Sequence, residues 1–367
     1  MTDNEIRDII IDEFEKLSKM SVEEYTLYRK WQEIHFKEWD AYKLDLIYKC
    51  KENLWIPDAP EDYLKLQPKV ILVDDKKLSD IWNTLRVMCS TAHWNANPGR
   101  NKRFIVSDEV TGRYLGIISI GSDFIAVGGR DRYIGWTTEN KIKHGKLKHT
   151  AMGSSIIPTQ PLGYNYMGGK LVALLTISNV VENAWNNTYK EKLAGITTTS
   201  LFNNSKGMSQ YTRLKYWHKC DPTTGEVQIE PSDLTYKKIR EWMKENYPTI
   251  IKKFDNVSHP KMRIVTFAMS NLKIKRYSSN FTRGVYFACL YDNTRDFLCN
   301  KTDKLGNKAF DNSVEAITTL WKERYAAPRL KRLLEDNRYN KNILYYDDII
   351  NLSWKETKEK YLDDVGR

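Results

Sequence analysis

The stretch Arg103-Phe-Ile-Val-Ser-Asp-Glu-Val-Thr-Gly-Arg-Tyr-Leu-Gly-Ile-Ile-Ser-Ile120 decides how this chain is read. Two β-prone runs, Arg103 to Ser107 and Arg113 to Ile120, flank a tight turn at Thr111-Gly112, which predicts a hairpin. Upstream, Val70-Ile-Leu-Val73 reads as a short strand and Leu78 to Cys89 as a helix. Downstream, Ser154-Ser-Ile-Ile157 reads as a strand closed by Pro158, and Gly163 to Gly169 as a glycine-containing loop. Lys170 to Tyr189 is predicted as one long helix. Gly195-Ile-Thr-Thr-Thr-Ser-Leu-Phe202, nearly all β-branched or apolar, is predicted as a strand. Hairpin, strand, loop, helix, strand is an α/β order with a central mixed sheet flanked by helices, a mixed α+β fold.

Two flanking regions differ from this core, taken as residues 67–230. In residues 1–66, Ile6, Ile9, Ile10, Phe14 and Leu17 recur at helical spacing, as do Leu27, Trp31 and Ile34. Ser21 with Glu24 three residues on predicts a capping box for the second helix. This helical arm is expected to pack on the basic body or to self-associate with a copy of itself. In residues 231–367, a C-terminal α+β region with a soft boundary, Leu234 to Phe254 and Val314 to Leu334 read as helical. Met262 to Met269 and Tyr286 to Tyr291 read as extended.

The chain carries 58 Lys and Arg against 47 Asp and Glu, a net charge of +11 over 367 residues. The arm, with 10 basic and 16 acidic side chains, is at −6, so the remainder stands at +17. A field of that size favours polyanions and predicts a nucleic-acid partner, DNA before RNA. With 41% hydrophobic and 12% aromatic residues the chain can build a core, which excludes wholesale disorder. Its longest apolar run, Leu171 to Ile177, falls short of the roughly 18 residues of a membrane-spanning helix, so no membrane partner is expected. The start MTDNEIRDII is acidic at once, without a basic stretch leading into an apolar one, so no secretory signal is read. Five isolated cysteines without a C-x-x-C pair argue against a disulfide framework or a zinc knuckle. A cytoplasmic protein of a bacterial or phage-infected cell, without metal, is the expectation.

Several stretches offer chemistry. A strand feeding the loop Pro158-Thr-Gln-Pro-Leu-Gly-Tyr-Asn-Tyr-Met-Gly-Gly169 at a helix N-terminus is a design for holding phosphates on backbone N–H groups, although it is not G-x-x-x-x-G-K-[ST]. In Gly129-Arg-Asp-Arg132, Arg130 and Arg132 are candidates to grip phosphate, with Asp131 orienting an arginine or acting as a base. The alternative is an ion-paired turn. The run Lys141 to His149, including Lys146 and Lys148, suggests a loop contacting a nucleic-acid backbone. Tyr211, Tyr216, Trp217 and His218 among Lys206, Arg213, Lys215 and Lys219 make an aromatic–basic mixture suited to stacking on bases. A Mg²⁺ nuclease needs clustered carboxylates, and Asp347-Asp348 and Asp363-Asp364 are adjacent pairs late in the chain, without a P-D-x-n-E-x-K frame.

The order hairpin, strand, Q-x-x-G loop, helix, Thr-Thr-Ser-Leu strand resembles the acyl-CoA-dependent N-acyltransferase superfamily called GNAT. Gln160-Pro-Leu-Gly163-Tyr-Asn165 matches the first four positions of its Q/R-x-x-G-x-G/A loop, with Asn165 where Gly or Ala is expected. A closer likeness is to the DruA family, named for a component of the Druantia anti-phage system and found also in phage and mobile-element proteins. It is carried by Gly129-Arg-Asp-Arg-Tyr-Ile-Gly-Trp136, Ser154-Ser-Ile-Ile-Pro158, Gly168-Gly-Lys-Leu171 and the Thr-Thr-Ser-Leu strand ending at Leu201. The Mom-like phage DNA-modification enzymes are similar in broad plan, and Ala92-His-Trp-Asn95 resembles their early histidine–aromatic element.

These resemblances imply a DNA base-modifying acyltransferase using acetyl-CoA or another acyl-CoA. Ser155, Ile157, Gln160, Gly163, Gly168, Gly169 and Lys170 would then hold the cofactor. His93 or Asp131 would be the general base, and Tyr211, on a helix after the Thr-Thr-Ser-Leu strand, the general acid. Arg130, Arg132, Lys146, Lys148 and Lys215 would contact the nucleic acid. The rival reading, which Asn165 favours, is a non-catalytic nucleic-acid-binding module of the DruA type. A nuclease and a partner-binding inhibitor are further alternatives.

Overall fold

In a computed structural model the chain begins with helices α1 Asp3–Ser18, α2 Val22–His35, α3 Ala41–Glu52 and α4 Asp62–Lys65. Strand β1 Pro68–Leu72 and helix α5 Lys76–Cys89 lead into the hairpin β2 Asn101–Asp108 and β3 Tyr114–Ser122. Then come α6 Gly128–Ile134, β4 Thr150–Pro158, α7 Gly168–Leu175, α8 Asn179–Tyr189, β5 Gly195–Ser200 and β6 Trp217–Cys220. Helices α9 Asp233–Asn246, α10 Pro248–Asp255 and α11 Pro260–Asn271 precede β7 Gly284–Cys289, α12 Thr294–Leu298, α13 Val314–Trp321 and α14 Ala327–Glu335. One more helix, Trp354–Val365, follows. The structure describes all residues except 36–39, 91–98, 161, 164–166, 203–208, 258–259, 280, 340–350 and 366–367.

The seven strands form one mixed sheet in the order β1-β2-β3-β4-β5-β7-β6. All neighbours are antiparallel except β4 and β5, which run parallel. The predicted hairpin is present, closed by Gly112 in the left-handed region (φ 69°) donating to the Asp108 carbonyl at 2.8 Å.

Both faces of the sheet are covered, as period-two alternation requires. Phe104, Ile118, Ile156 and Tyr286 face one core with Leu171–Leu175 of α7, Trp185 of α8 and Trp321 of α13. Their neighbours point the other way. Ile105 and Ile117 pack on Trp82 and Leu85 of α5. Met152, Val285 and Phe287 pack with Ile134 of α6 and Phe297 of α12. A separate helical core joins Ile6, Ile10, Phe14 and Leu17 of α1 to Ile239, Trp242 and Met243 of α9 and Ile264, Val265 and Ala268 of α11. The apolar stripe of the acidic arm is thus spent within its own chain, which leaves self-association through the arm without that face.

Four sequence expectations need correction. The helix expected over 170–189 breaks at Ser178, whose backbone is extended (φ −73°, ψ 159°), where α8 begins. The helix expected over 234–254 breaks at Tyr247-Pro248, because the residue before proline is barred from the helical region (φ −138°, ψ 54°). The extended reading of Met262 to Met269 is wrong. Ile264, Val265, Ala268 and Met269 are buried at helical spacing in α11, and packing in the helical core overrides their local β-propensity. Tyr211 lies in a turn rather than on a helix, and Trp217–Cys220, read as part of a stacking mixture, is the edge strand β6.

Candidate functional site

Strands β4 and β5 pair only over Thr150–Gly153 against Gly195–Thr198. Beyond Gly153 the edge of β4 facing β5 is open to another partner, and the gap adjoins the N-terminus of α7. Here the sequence placed the cofactor site. The turn 209–214 fills the gap. Gln210 Nε2 donates to the Ile156 carbonyl at 3.0 Å, in place of a strand neighbour. Lys170 Nζ donates to the carbonyls of Gln210 (3.2 Å) and Thr212 (2.7 Å), and burial pushes its pKa down to about 8. A Cβ on Gly169 would come within 2.7 Å of Gln210 Oε1, so this glycine accommodates a side chain of the chain itself.

Tyr211 sits in the core with its ring centroid 5.3 Å from that of Trp217 and 5.0 Å from that of Tyr286. Thr198 Oγ1 donates to its hydroxyl at 3.4 Å, and burial pushes its pKa up to about 12.

Three of the backbone donors expected to hold phosphate are engaged. Gly163 N–H donates to Thr159 O at 3.0 Å, and Met167 and Gly168 N–H both donate to Leu162 O, at 3.2 and 3.1 Å. Ser155 is buried and Ile157 half-buried on β4, where β4 pairs with β3. Gln160 is half-buried at the end of that strand. An acyl-CoA arm lying along β4 would meet Gln210, and its pyrophosphate would find these donors occupied. Among the described residues, Gln210 and these three occupied donors stand against an acyl-CoA. Asn165 and its neighbours Tyr164 and Tyr166 lie outside the described residues, as do His93 and the rest of Ala92-His-Trp-Asn95.

The G-R-D-R motif forms α6, stopped by Gly135 in the left-handed region (φ 80°). Arg130 is 0% exposed. Its Nη1 lies 2.6 Å from Asp123 Oδ1, and its Nε and Nη2 reach Asp131 Oδ1 at 2.9 and 2.7 Å. Asp131 Oδ2 takes a second cation, Lys141 Nζ, at 2.7 Å, and Thr197 on β5 donates to Asp123 Oδ2 at 2.8 Å. Arg130 is therefore not a phosphate contact, because it is fully buried and ion-paired inside the fold. Asp131, with both oxygens held by cations, has no oxygen left to take a substrate proton. Asp123 carried no sequence signal, and Lys141, read as the start of a basic run contacting a nucleic-acid backbone, is buried in the network instead. Asp123 is a single carboxylate after a strand, and its partner is seven residues away on another element.

The remaining predicted cations divide. Lys146 is buried with its ammonium 3.9 Å from the Phe297 ring centroid, so it too is withdrawn from solvent. Arg132 is exposed and paired with Asp221 (2.9 Å), and Lys148 with Glu191 (2.9 Å). Lys215 is exposed, its N–H donating to the Tyr325 hydroxyl at 2.8 Å and its ammonium 4.9 Å from the Tyr216 ring. Half of the expected stacking mixture, Tyr211 and Trp217, is core.

A cleft of about 490 Å³ opens where β3 ends and β4 and β5 begin, lined by Arg100, Ser122, Asp123, Lys148, Tyr189 and Glu191. The Arg100 guanidinium lies 4.7 Å from the Trp185 ring centroid and donates to Lys148 O at 2.8 Å. Lys190 and Lys192, exposed on either side of Glu191, have no carboxylate partner among the described residues. Sequence reasoning missed this cleft and its flanking lysines, because Arg100 and the two lysines are ninety positions apart. Among the described residues no group of three or more His, Cys, Asp or Glu is arranged to hold a metal ion. Asp347-Asp348 lies outside the described residues. No helix among the described residues is long and apolar enough to cross a membrane.

Residues 20–300, more than half of the chain, match the family model described as Druantia protein DruA. A curated relative, the Druantia protein DruA of Escherichia coli (strain UMEA 4076-1), is 27% identical over 164 residues, 40% of this chain and 39% of that protein. The alignment thus spans well under two thirds of that relative's length. No solved structure matches the chain.

Proposed function

This chain belongs to the DruA family of Druantia proteins, and from that premise we propose that it is a nucleic-acid-binding component of anti-phage defence that works without acyl-CoA. The observation that carries the reading is the cleft together with the two lysines that flank its lining residue Glu191 in the chain. Arg100 is held over an aromatic ring, and Lys190 and Lys192 stand in solvent without carboxylates to neutralise them. Cations fixed on a rigid sheet end, in a body at +17, supply sequence-independent phosphate contacts. The strand order with its single parallel pair and the loop before α7 support descent from a GNAT-like core. The filled gap beside β4 argues that such a core has lost the cofactor.

The test is DNA binding by the purified chain as a function of salt. Wild type is expected to bind duplex DNA, and Lys190→Ala with Lys192→Ala to flatten the log–log salt slope by about 2, since each neutralised phosphate contributes about 0.9. Failure to bind at low salt, or an unchanged slope, would overturn the reading. Acetyl-CoA is expected to give no saturable binding in calorimetry, and saturable binding would restore the acyltransferase.

A further inference from the structure

The buried ionic network holds something in place. Phe124 and Ile125, between Asp123 and α6, are 53% and 54% exposed, and Ile142 on the nearby π-helical turn Glu139–Lys143 is 58% exposed. Their backbone is not free to fold the side chains away. The Phe124 carbonyl accepts from Arg130 Nη2 at 2.8 Å, the Ile125 carbonyl from Lys141 Nζ at 2.7 Å, and Phe124 N–H donates to Asp123 Oδ1 at 2.8 Å. Both cations are buried. A buried network of four charges adds little net stability over an apolar core of the same volume, so what it supplies is shape. The shape supplied is a stiff loop that presents an aromatic and a branched aliphatic side chain to solvent. The loop is continuous with the cleft, since Asp123 lines that cleft beside Arg100 and Lys148, and the exposed Lys190 and Lys192 flank its lining residue Glu191 in the chain.

We propose that Phe124 and Ile125 form a wedge that enters a base step of duplex DNA and bends it, while Arg100, Lys190 and Lys192 hold the flanking phosphates. The proposal rests on the DNA-binding reading and adds to it. The occupant follows from the juxtaposition. An apolar tip on a loop that leads into a cleft flanked by the carboxylate-free Lys190 and Lys192 fits a polyanion with an apolar interior, which a partly unstacked duplex is and an apolar protein groove is not. Wedges of this kind trade stacking energy for a bent duplex that meets more protein surface.

The experiment uses the full chain and a short duplex labelled at both ends, with flexible TA steps in its middle, read by anisotropy for binding and by energy transfer for bending. Wild type is expected to bind and to raise energy transfer. Phe124→Ser with Ile125→Ser, at exposed positions that leave the network intact, is expected to bind about 5- to 10-fold more weakly, with the wild-type salt slope and no rise in energy transfer. Phe124→Leu is expected to restore most of the bend when Ile125 is kept. Wild-type bending by the double serine variant, or wild-type binding without bending, would overturn the wedge while leaving the DNA-binding reading standing. No binding by wild type would overturn both. An unchanged melting temperature in the serine variant shows that the fold is kept.

Discussion

Removing the Arg130 side chain would leave the buried Asp123 without its ion-pair partner and Asp131 with Lys141 alone. Such an uncompensated charge costs about 3–5 kcal/mol, so Arg130→Ala is expected to lose that much in urea unfolding. Arg130→Lys is expected to rescue little, since one ammonium cannot span two carboxylates and the Phe124 carbonyl. Lys170 makes a different prediction at the same scale. Burial favours its neutral amine, so between about pH 8 and its ordinary value of 10.5 the unfolded chain holds the extra proton. Stability from this residue therefore rises with pH across that window. Lys170→Met is expected to flatten the rise, measured as melting temperature against pH relative to wild type.

Helix α6 docks against the end of β6 through Gly129. A Cβ there would lie 1.9 Å from the Asp221 carbonyl oxygen, so the helix must retreat or the strand end must move. Gly129→Ala is expected to cost about 1–3 kcal/mol in denaturant unfolding and to weaken DNA bending, because α6 carries Arg130. The glycine of the G-R-D-R motif was thus visible in the sequence for a reason its neighbours concealed. The hairpin at Thr111-Gly112 and strands β4 and β5 were legible because alternation and turn chemistry act locally. The break at Pro248 also had a local cause, a proline inside a pattern that seemed continuous, whereas Ser178 starts α8 without its side chain accepting a cap hydrogen bond. Helix α11 was not legible, because Ile264 and Val265 suit a strand until α9 and α1 supply an apolar surface. Among the proposed site residues, charge identified cations but not their partners. Nothing local distinguishes Arg130, paired with residues on either side of it, from Lys215, which stands free of carboxylates.

At the scale of the whole molecule, the charge imbalance is spatially organised. The −6 arm lies on α9 and α11, from a region at +9, and Glu24 on α2 pairs with Lys358 at 2.6 Å. Deleting residues 1–35 is expected to bare the apolar face of α9 and α11, and size-exclusion chromatography is expected to show aggregates in place of the wild-type peak. The five cysteines form no disulfide, and burial pushes the thiols of Cys50 and Cys220 up to about 12, so reducing agent is expected to leave the melting temperature unchanged.

The same packing has a consequence in time. Asp3 accepts a hydrogen bond from Trp242, which the ribosome adds 239 residues later. At about 5–20 residues per second, roughly 12–50 s separate the two. Over that interval Ile6, Ile10, Phe14 and Leu17 have emerged and the surface they will cover does not exist. The helical core closes late in synthesis, after the first six strands, the hairpin among them, have been made. A nascent chain stalled before residue 233 is therefore a substrate for a chaperone that grips α1.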